Sequence, residues 1–146
     1  MMGSVAGRIE RGGPFCYIKV MASPQHVALL KAAGRPYPAP IIIRSLIDTG
    51  ASCSLVERGI IGSLQLMPTG SVSIHTPSTG SNYTTRDQYD VTFVLGEKGP
   101  APAIFTVGAL ESDFASEGFM AIIGWDVLRH CVLICDGPAA TFTLYF

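Results

Sequence analysis

The sequence has few charged residues and no long apolar run. Asp, Glu, Lys and Arg make up 14% of the 146 residues, the formal net charge is -1, and the ten basic residues are scattered. Nucleic acids and anionic membranes bind to basic patches, so we expect neither as a partner. No apolar stretch approaches the ~18–20 residues that cross a bilayer, so we expect no membrane insertion. The length favours a single domain, residues 1–146, that buries a core.

Cysteine and histidine are too sparse and too irregularly spaced to predict a metal site. Cys131 and Cys135 have no second Cys or His pair at ligand spacing, so we predict no metal and four free thiols. The N-terminal stretch MMGSVAGRIERGG lacks the apolar core of a secretory signal, which together with free thiols favours a cytoplasmic location. Residues 1–14 are expected to be flexible. The 48% hydrophobic content and the low charge predict either an unusually apolar surface or a surface that is partly covered by a partner.

Apolar residues mostly alternate with the period of two that is typical of β-strands, as in FCYIKVMA. One segment, SPQHVALLKAAG, predicts a helix near residues 24–33, because Ser23 suits the N-cap, Pro24 the first turn and Gly34 the position after the end. A short helix is also predicted near residues 126–131. The pattern indicates an all-β domain with these two helical additions.

A carboxylate ends a strongly β-branched strand in the segment Leu46–Ser54, LIDTGASCS. Asp48 is followed at once by Thr49 and Gly50, which favour a turn, and then by small residues. The segment AIIGWDVL, which begins at Ala121, predicts a second apolar strand that ends at Gly124 and is followed by the short helix, and the chain ends with the alternating strand TFTLYF. These three segments, in this order, resemble the retropepsins, the single-domain aspartic proteases of retroviruses and of their cellular and bacterial relatives.

The resemblance implies a retropepsin-like acid protease barrel and an aspartic endopeptidase activity with Asp48 as the catalytic residue. Two carboxylates that share a proton can activate water and protonate a carbonyl oxygen. The chain has only one Asp-Thr-Gly, so the resemblance implies a homodimer to which each subunit contributes one Asp48. The implied substrate is a polypeptide with hydrophobic residues on either side of the cut, and no cofactor is implied.

The resemblance also assigns supporting roles around Asp48. Thr49 matches the threonine whose hydroxyl bonds across the dimer, and Gly50 allows the turn because it has no Cβ. Ala51 stands where pepsin-like enzymes carry a hydroxyl residue that donates to the carboxylate. Alanine cannot donate, so we predict a weakly acidic pH optimum.

The segment 71–96 is predicted to be an extended hairpin and corresponds to the retropepsin flap, which closes over substrate. Its predicted tip, which would contact substrate, comprises Ser78, Thr79, Gly80 and Ser81. The glycine-rich tip of retroviral enzymes is absent here. Tyr83 is either a substrate contact or a surface aromatic residue.

The last strand, residues 139–146, resembles the C-terminal dimerisation strand. Its alternating apolar side chains, Phe142, Leu144 and Phe146, predict an interface sheet formed with a second copy. The alternative is that this strand completes the sheet of its own monomer.

Two positions depart from the retroviral pattern. Trp125 stands where retroviral enzymes carry an arginine that supports the dimer, and Ser52 stands where many carry an acid. Apolar burial of Trp125 is expected to replace the ionic arrangement. Asp126 is either an N-cap of the following helix or a catalytic acid, and the N-cap is the favoured hypothesis.

Two other functions are compatible with the residues. One is a catalytically silent module of the same fold that dimerises or binds peptide. The other is a monomeric β-barrel binder in which Asp48 only caps a turn.

Overall fold

The computed structural model describes residues 2–75, 80 and 82–146. These residues form ten strands: β1 (Ser4–Glu10), β2 (Gly13–Ala22), β3 (Ile41–Ile47), β4 (Leu55–Glu57), β5 (Gly70–Ile74), β6 (Thr84–Leu95), β7 (Ala103–Ser112), β8 (Ala121–Ile123), β9 (Val132–Asp136) and β10 (Thr141–Tyr145). They also form the helices α1 (Pro24–Ala32), α2 (Arg58–Ser63) and α3 (Trp125–Leu128), and a 3-10 turn at Ala115–Glu117. The prediction of an all-β domain is confirmed.

Six of the strands close into a barrel. β2 pairs with β3, β3 with β8, β8 with β4, β4 with β7 and β7 with β6, and β6 returns to β2 through Lys19–Ala22. The β3–β8 and β4–β7 pairs are parallel, and the other pairs in this ring are antiparallel. Closure leaves the ring without an edge, so its backbone groups are paired.

The core fills the barrel with branched and aromatic side chains. Val20, Val56, Phe93 and Ile123 are fully buried and come from four different strands of the ring. In β6 the five consecutive residues Val91–Leu95 are all buried. A strand covered on both faces loses the alternation of apolar and polar residues, which explains the mostly apolar sequence here, and the one polar member, Thr92, is hydrogen-bonded to Thr106 Oγ1 at 2.8 Å.

The expectation that residues 1–14 are flexible is wrong. Ser4–Glu10 is β1 and pairs with β10 over five residue pairs, and Gly13 already belongs to β2. The ends of the chain also exchange two hydrogen bonds, Gly3 N to Phe146 O at 2.8 Å and Phe146 N to Gly3 O at 3.0 Å. The sequence does not predict this strand because glycine is rare in strands. Gly7 is needed in β1 because the Phe142 ring leaves little room there: an added Cβ would lie 3.0 Å from a ring carbon.

The prediction that residues 139–146 pair with a second copy is also wrong. β10 lies between β1 and β9 of its own chain, so both edges of its backbone are already hydrogen-bonded. Phe142 and Leu144 are buried in the monomer, at 2% and 0% exposed, and Phe146 packs against the same core. The alternative, that the strand completes the sheet of its own monomer, is correct.

The two predicted helices are present. In α1 the Ser23 hydroxyl accepts a hydrogen bond from His26 N at 3.2 Å, and Gly34 follows the helix with a φ of +66°. α3 begins at Trp125 and spans four residues, shorter than predicted. None of the helices in the described part of the chain has the length and apolar character to cross a membrane.

Candidate functional site

Asp48 directly follows β3, at the point where the barrel strand turns. Its backbone N donates to Ile123 O at 3.0 Å, which extends the parallel β3–β8 pairing by one bond. Its backbone O accepts from Ala51 N at 3.2 Å and closes the turn. The carboxylate Oδ1 accepts from Gly50 N at 2.8 Å. The carboxylate is therefore held by its own turn while remaining partly exposed.

Gly50 fits this turn because a larger residue would meet the carboxylate. An added Cβ would lie 3.1 Å from Asp48 Oδ1, closer than ordinary van der Waals contact. Thr49 and Gly50 are exposed, and Ala51 is half-buried. The four residues that the sequence singles out, Asp48 to Ala51, thus form one projecting turn.

The second motif packs directly behind this turn. Trp125 N donates to Ala51 O at 2.9 Å, and the indole Nε1 donates to Thr49 O. Gly124 lies so close to the turn that an added Cβ would be 2.6 Å from the carbonyl C and O of Cys53. The two motifs are distant in the sequence but are in direct contact in the fold.

Asp126 is engaged in hydrogen bonds with the residue that follows the turn and with its own helix. Its carboxylate accepts from Ser54 N at 2.9 Å, from Ser54 Oγ at 2.6 Å and from Val127 N at 3.0 Å. The N-cap of α3 is Gly124, so the N-cap hypothesis for Asp126 is wrong in detail, although its role is structural. Sequence analysis missed Ser54, which is fully buried and also accepts from Gly124 N at 3.0 Å.

A groove of about 500 Å³ opens beside the turn. One wall is formed by the turn residues Gly50–Cys53. The other is formed by the end of β5 and the residue after it, Val72–His75. Leu55 and Leu110 also line it. Its lining is mostly apolar, which suits hydrophobic side chains of a bound peptide.

The wall opposite the turn belongs to the predicted hairpin. β5 and β6 pair antiparallel in register from Gly70–Gln88 to Ile74–Thr84. Beyond the last pair, the rings of His75 and Tyr83 lie 5.3 Å apart, and Tyr83 is exposed. Of the predicted tip residues, Gly80 is exposed with a φ of +62°. Ser78, Thr79 and Ser81 lie outside the described residues.

The thiol in the groove is not an activated nucleophile. Burial raises the pKa of Cys53, and the charge of Asp126 raises it further against a hydrogen bond with Ser52. Burial likewise raises the pKa of Cys16, against a hydrogen bond with Ser45. Since the thiolate is the nucleophilic form, the raised pKa values keep both thiols in their less reactive protonated form at neutral pH.

A second hollow of about 530 Å³ lies elsewhere, between β1, β2 and the segment Gly96–Gly99. Its lining includes the exposed Tyr17 and Ile42 and the ion pair of Lys19 Nζ with Glu97 Oε1 at 2.7 Å. The only carboxylate in the described lining is therefore already engaged. Its lining does not include any residue of the Asp48 turn.

The groove has no acidic residue among the described residues that line it. Asp48 is two residues before Gly50, which lines the groove, and its carboxylate accepts from Gly50 N. One carboxylate can take a proton from water but cannot at the same moment donate one to the carbonyl oxygen.

Comparison with known proteins bears on the fold. No model of a protein family matches the chain, and no curated protein has a similar sequence. Among solved structures, the chain is similar to a retropepsin-like aspartic protease from Rickettsia conorii, with a TM-score of 0.58 and 15% sequence identity. The match covers 100% of this chain and 92% of that one. The protein therefore has the retropepsin-like fold.

Proposed function

We propose that the protein is an aspartic endopeptidase that is active as a homodimer. The observation that carries the proposal is the Asp48 turn. It presents one carboxylate, held by Gly50 N, beside an apolar groove whose far wall is a β-hairpin. The retropepsin-like fold agrees with this chemistry.

In the proposed mechanism the two Asp48 carboxylates of the dimer share one proton, because two like charges in close contact do not both ionise. The ionised carboxylate takes a proton from water as the water oxygen attacks the scissile carbonyl carbon. The protonated carboxyl gives its proton to the carbonyl oxygen. As the tetrahedral intermediate collapses and the C–N bond breaks, the carboxyl that took its proton from water gives that proton to the leaving amine nitrogen. The other carboxylate takes the proton of one hydroxyl of the intermediate as the carbonyl re-forms, so the pair again shares one proton.

The substrate is proposed to be a polypeptide with hydrophobic residues near the cut. Ala51, Leu55, Leu110 and Val72 present apolar surface to the groove. Each apolar side chain that moves from water into such a groove contributes about 1.5–3 kcal/mol when fully buried. The proposed role of the hairpin is to cover the bound peptide and exclude water.

β9 is proposed as the dimer surface, in place of the strand that the sequence suggested. Among the described strands β9 pairs only with β10, so its other edge is open. It carries two exposed apolar side chains, Val132 at 53% and Ile134 at 52%. An open edge with exposed branched residues is a template for pairing with another copy. Trp125 is a further exposed apolar side chain, 44% exposed, and it is hydrogen-bonded to the Asp48 turn.

The test is peptide cleavage by the intact chain and by Asp48→Asn, which is isosteric and cannot act as a base. Both proteins are incubated with a diverse peptide pool from pH 3 to 7, and new termini are mapped by mass spectrometry. We expect internal cuts between hydrophobic residues, with a maximum at weakly acidic pH, and no cuts by Asp48→Asn.

A mixing experiment examines the shared site. Adding excess Asp48→Asn to the parent protein should reduce its activity, because mixed dimers carry one carboxylate. Undiminished cleavage by Asp48→Asn would refute the proposal. Peptide binding without cleavage by the parent would instead indicate the silent module.

A further inference from the structure

Arg86 lies in the middle of the β5–β6 ladder, next to the residues that line the groove. In the β5–β6 register Arg86 is opposite Val72, and paired residues on neighbouring strands project from the same face. Val72 lines the groove. Two residues along β6, Gln88 is opposite Leu110, which also lines the groove. The side chain of Arg86 therefore shares a face with two groove residues from two neighbouring strands.

The guanidinium of Arg86 is poorly satisfied. Its Nε is buried and has no hydrogen-bond partner among the described residues. Its Nη1 reaches only a backbone oxygen, that of Glu111, at 3.5 Å. The described part of the chain provides it with no ion pair.

The acids around this end of the barrel are engaged elsewhere. Glu111 and Asp113 both lie within ion-pair distance of Arg58, at 3.6 and 3.9 Å. Asp87 is the next residue in β6, so it projects from the opposite face of the strand. A partly buried charge without a counter-charge is unfavourable, and an arriving carboxylate would stabilise it.

We propose that Arg86 is a specificity-determining residue that binds an acidic side chain of the peptide substrate. The inference rests on the proposed function, since it assigns a subsite to the same groove. The planar guanidinium can donate two parallel hydrogen bonds to one carboxylate, which a neutral amide cannot match. The preferred substrate thus combines hydrophobic residues near the cut with a Glu or Asp that reaches Arg86.

The test separates binding from cleavage by using the inert full-length Asp48→Asn protein. Fluorescein-labelled peptides from the cleavage pool are synthesised in pairs that differ only by Glu or Gln, and their affinities are measured by fluorescence anisotropy. We expect the Glu peptide to bind roughly tenfold more tightly than its Gln partner. Adding Arg86→Gln should remove this preference, and Arg86→Glu should favour a peptide with Lys at that position.

Arg8→Gln is the matched control, because Arg8 is exposed on β1 and its loss changes the net charge by the same amount. It should retain the Glu preference. Arg86→Lys keeps the charge without the planar fork and should retain part of the preference. Circular dichroism melting of each variant establishes that the compared proteins are folded.

The outcomes distinguish the two proposals. A Glu preference that survives Arg86→Gln, or no Glu preference in the parent background, overturns the role of Arg86 even if peptides are cut. A Glu preference that depends on Arg86, without cleavage by the parent, supports the subsite and overturns the protease. Failure of every peptide to bind overturns both.

Discussion

Ser54 Oγ donates to Asp126 Oδ1 at 2.6 Å and accepts from Gly124 N at 3.0 Å. This one buried hydroxyl connects the residue that follows the Asp48 turn to the first turn of α3. Ser54 N also donates to the other Asp126 oxygen at 2.9 Å, so two hydrogen bonds join Ser54 to the Asp126 carboxylate. The position of the Asp48 turn therefore depends on a serine and an aspartate that are 72 residues apart in sequence.

Replacing Ser54 should destabilise the protein more than replacing an exposed serine. In Ser54→Ala the Gly124 N–H loses its partner in the interior, which costs about 1–3 kcal/mol of the free energy of unfolding. Urea denaturation followed by circular dichroism measures this. Ser63→Ala is the control, since its exposed hydroxyl only bonds back to Gly59 O at 2.9 Å, and should change stability by less than about 0.5 kcal/mol. Equal losses in the two variants would contradict the argument.

Gly124→Ala should lower both stability and activity. The new Cβ would lie 2.6 Å from Cys53 backbone atoms and 2.8 Å from Ala51 O, and backbone cannot rotate away as a side chain can. Overpacking of this kind costs about 1–3 kcal/mol, and a turn displaced by about 1 Å loses roughly 100-fold in kcat/KM.

Gly59→Ala is the matched glycine control. Gly59 lies in α2, and no described atom is within 4 Å of an added Cβ there. Because alanine favours a helix over glycine, this variant should gain up to about 1 kcal/mol and keep its activity. Thermal melting and peptide cleavage measure both effects. A Gly124→Ala protein as stable and active as Gly59→Ala would show that the close packing is unimportant.

The thiols should react in the order of their exposure. Cys135 is exposed, whereas burial raises the pKa of Cys131, Cys53 and Cys16. Iodoacetamide at neutral pH should therefore modify Cys135 first, and Cys16 should react only on unfolding. Peptide mapping by mass spectrometry over time gives the order. Early modification of Cys16 would contradict its burial.

The raised pKa of Cys16 also affects how the stability of the protein depends on pH. A thiol whose pKa is raised by folding makes its full contribution to stability when the pH is below its pKa in the unfolded chain, which is about 8.5. That contribution is lost as the pH rises through the pKa of the thiol in the folded protein. The parent should therefore lose stability in the alkaline range, and Cys16→Ala should lose less. Urea midpoints at pH 7 and pH 10 compare the two. An equal alkaline loss would exclude Cys16 as a cause.

Sequence analysis identified the turn and its supporting strand because both are set by local chemistry. An apolar strand that ends on Asp48, and the glycine at position 124, are legible from neighbouring residues alone. The partner of a strand is not local. Phe142 and Leu144 alternate as an interface strand would, but only the fold shows that β1 and β9 occupy both sides.

The remaining site residues carry no distinctive local pattern. Ser54 is one of many serines, and its role depends on the distant Asp126. Arg86 is an ordinary strand residue until the register places it opposite Val72. Both roles arise from long-range pairing, which periodicity does not encode.

A charge on the open edge of β9 should separate the subunits without unfolding them. Ile134→Lys replaces an exposed branched side chain with a residue that natural edge strands use to prevent pairing. If β9 forms the dimer, the dissociation constant should rise at least about tenfold, and activity per subunit should fall on dilution. Ile104→Lys is the control, because Ile104 is 67% exposed on β7, away from this edge. Sedimentation velocity measures association, and a dimer unchanged by Ile134→Lys would exclude β9 as its surface.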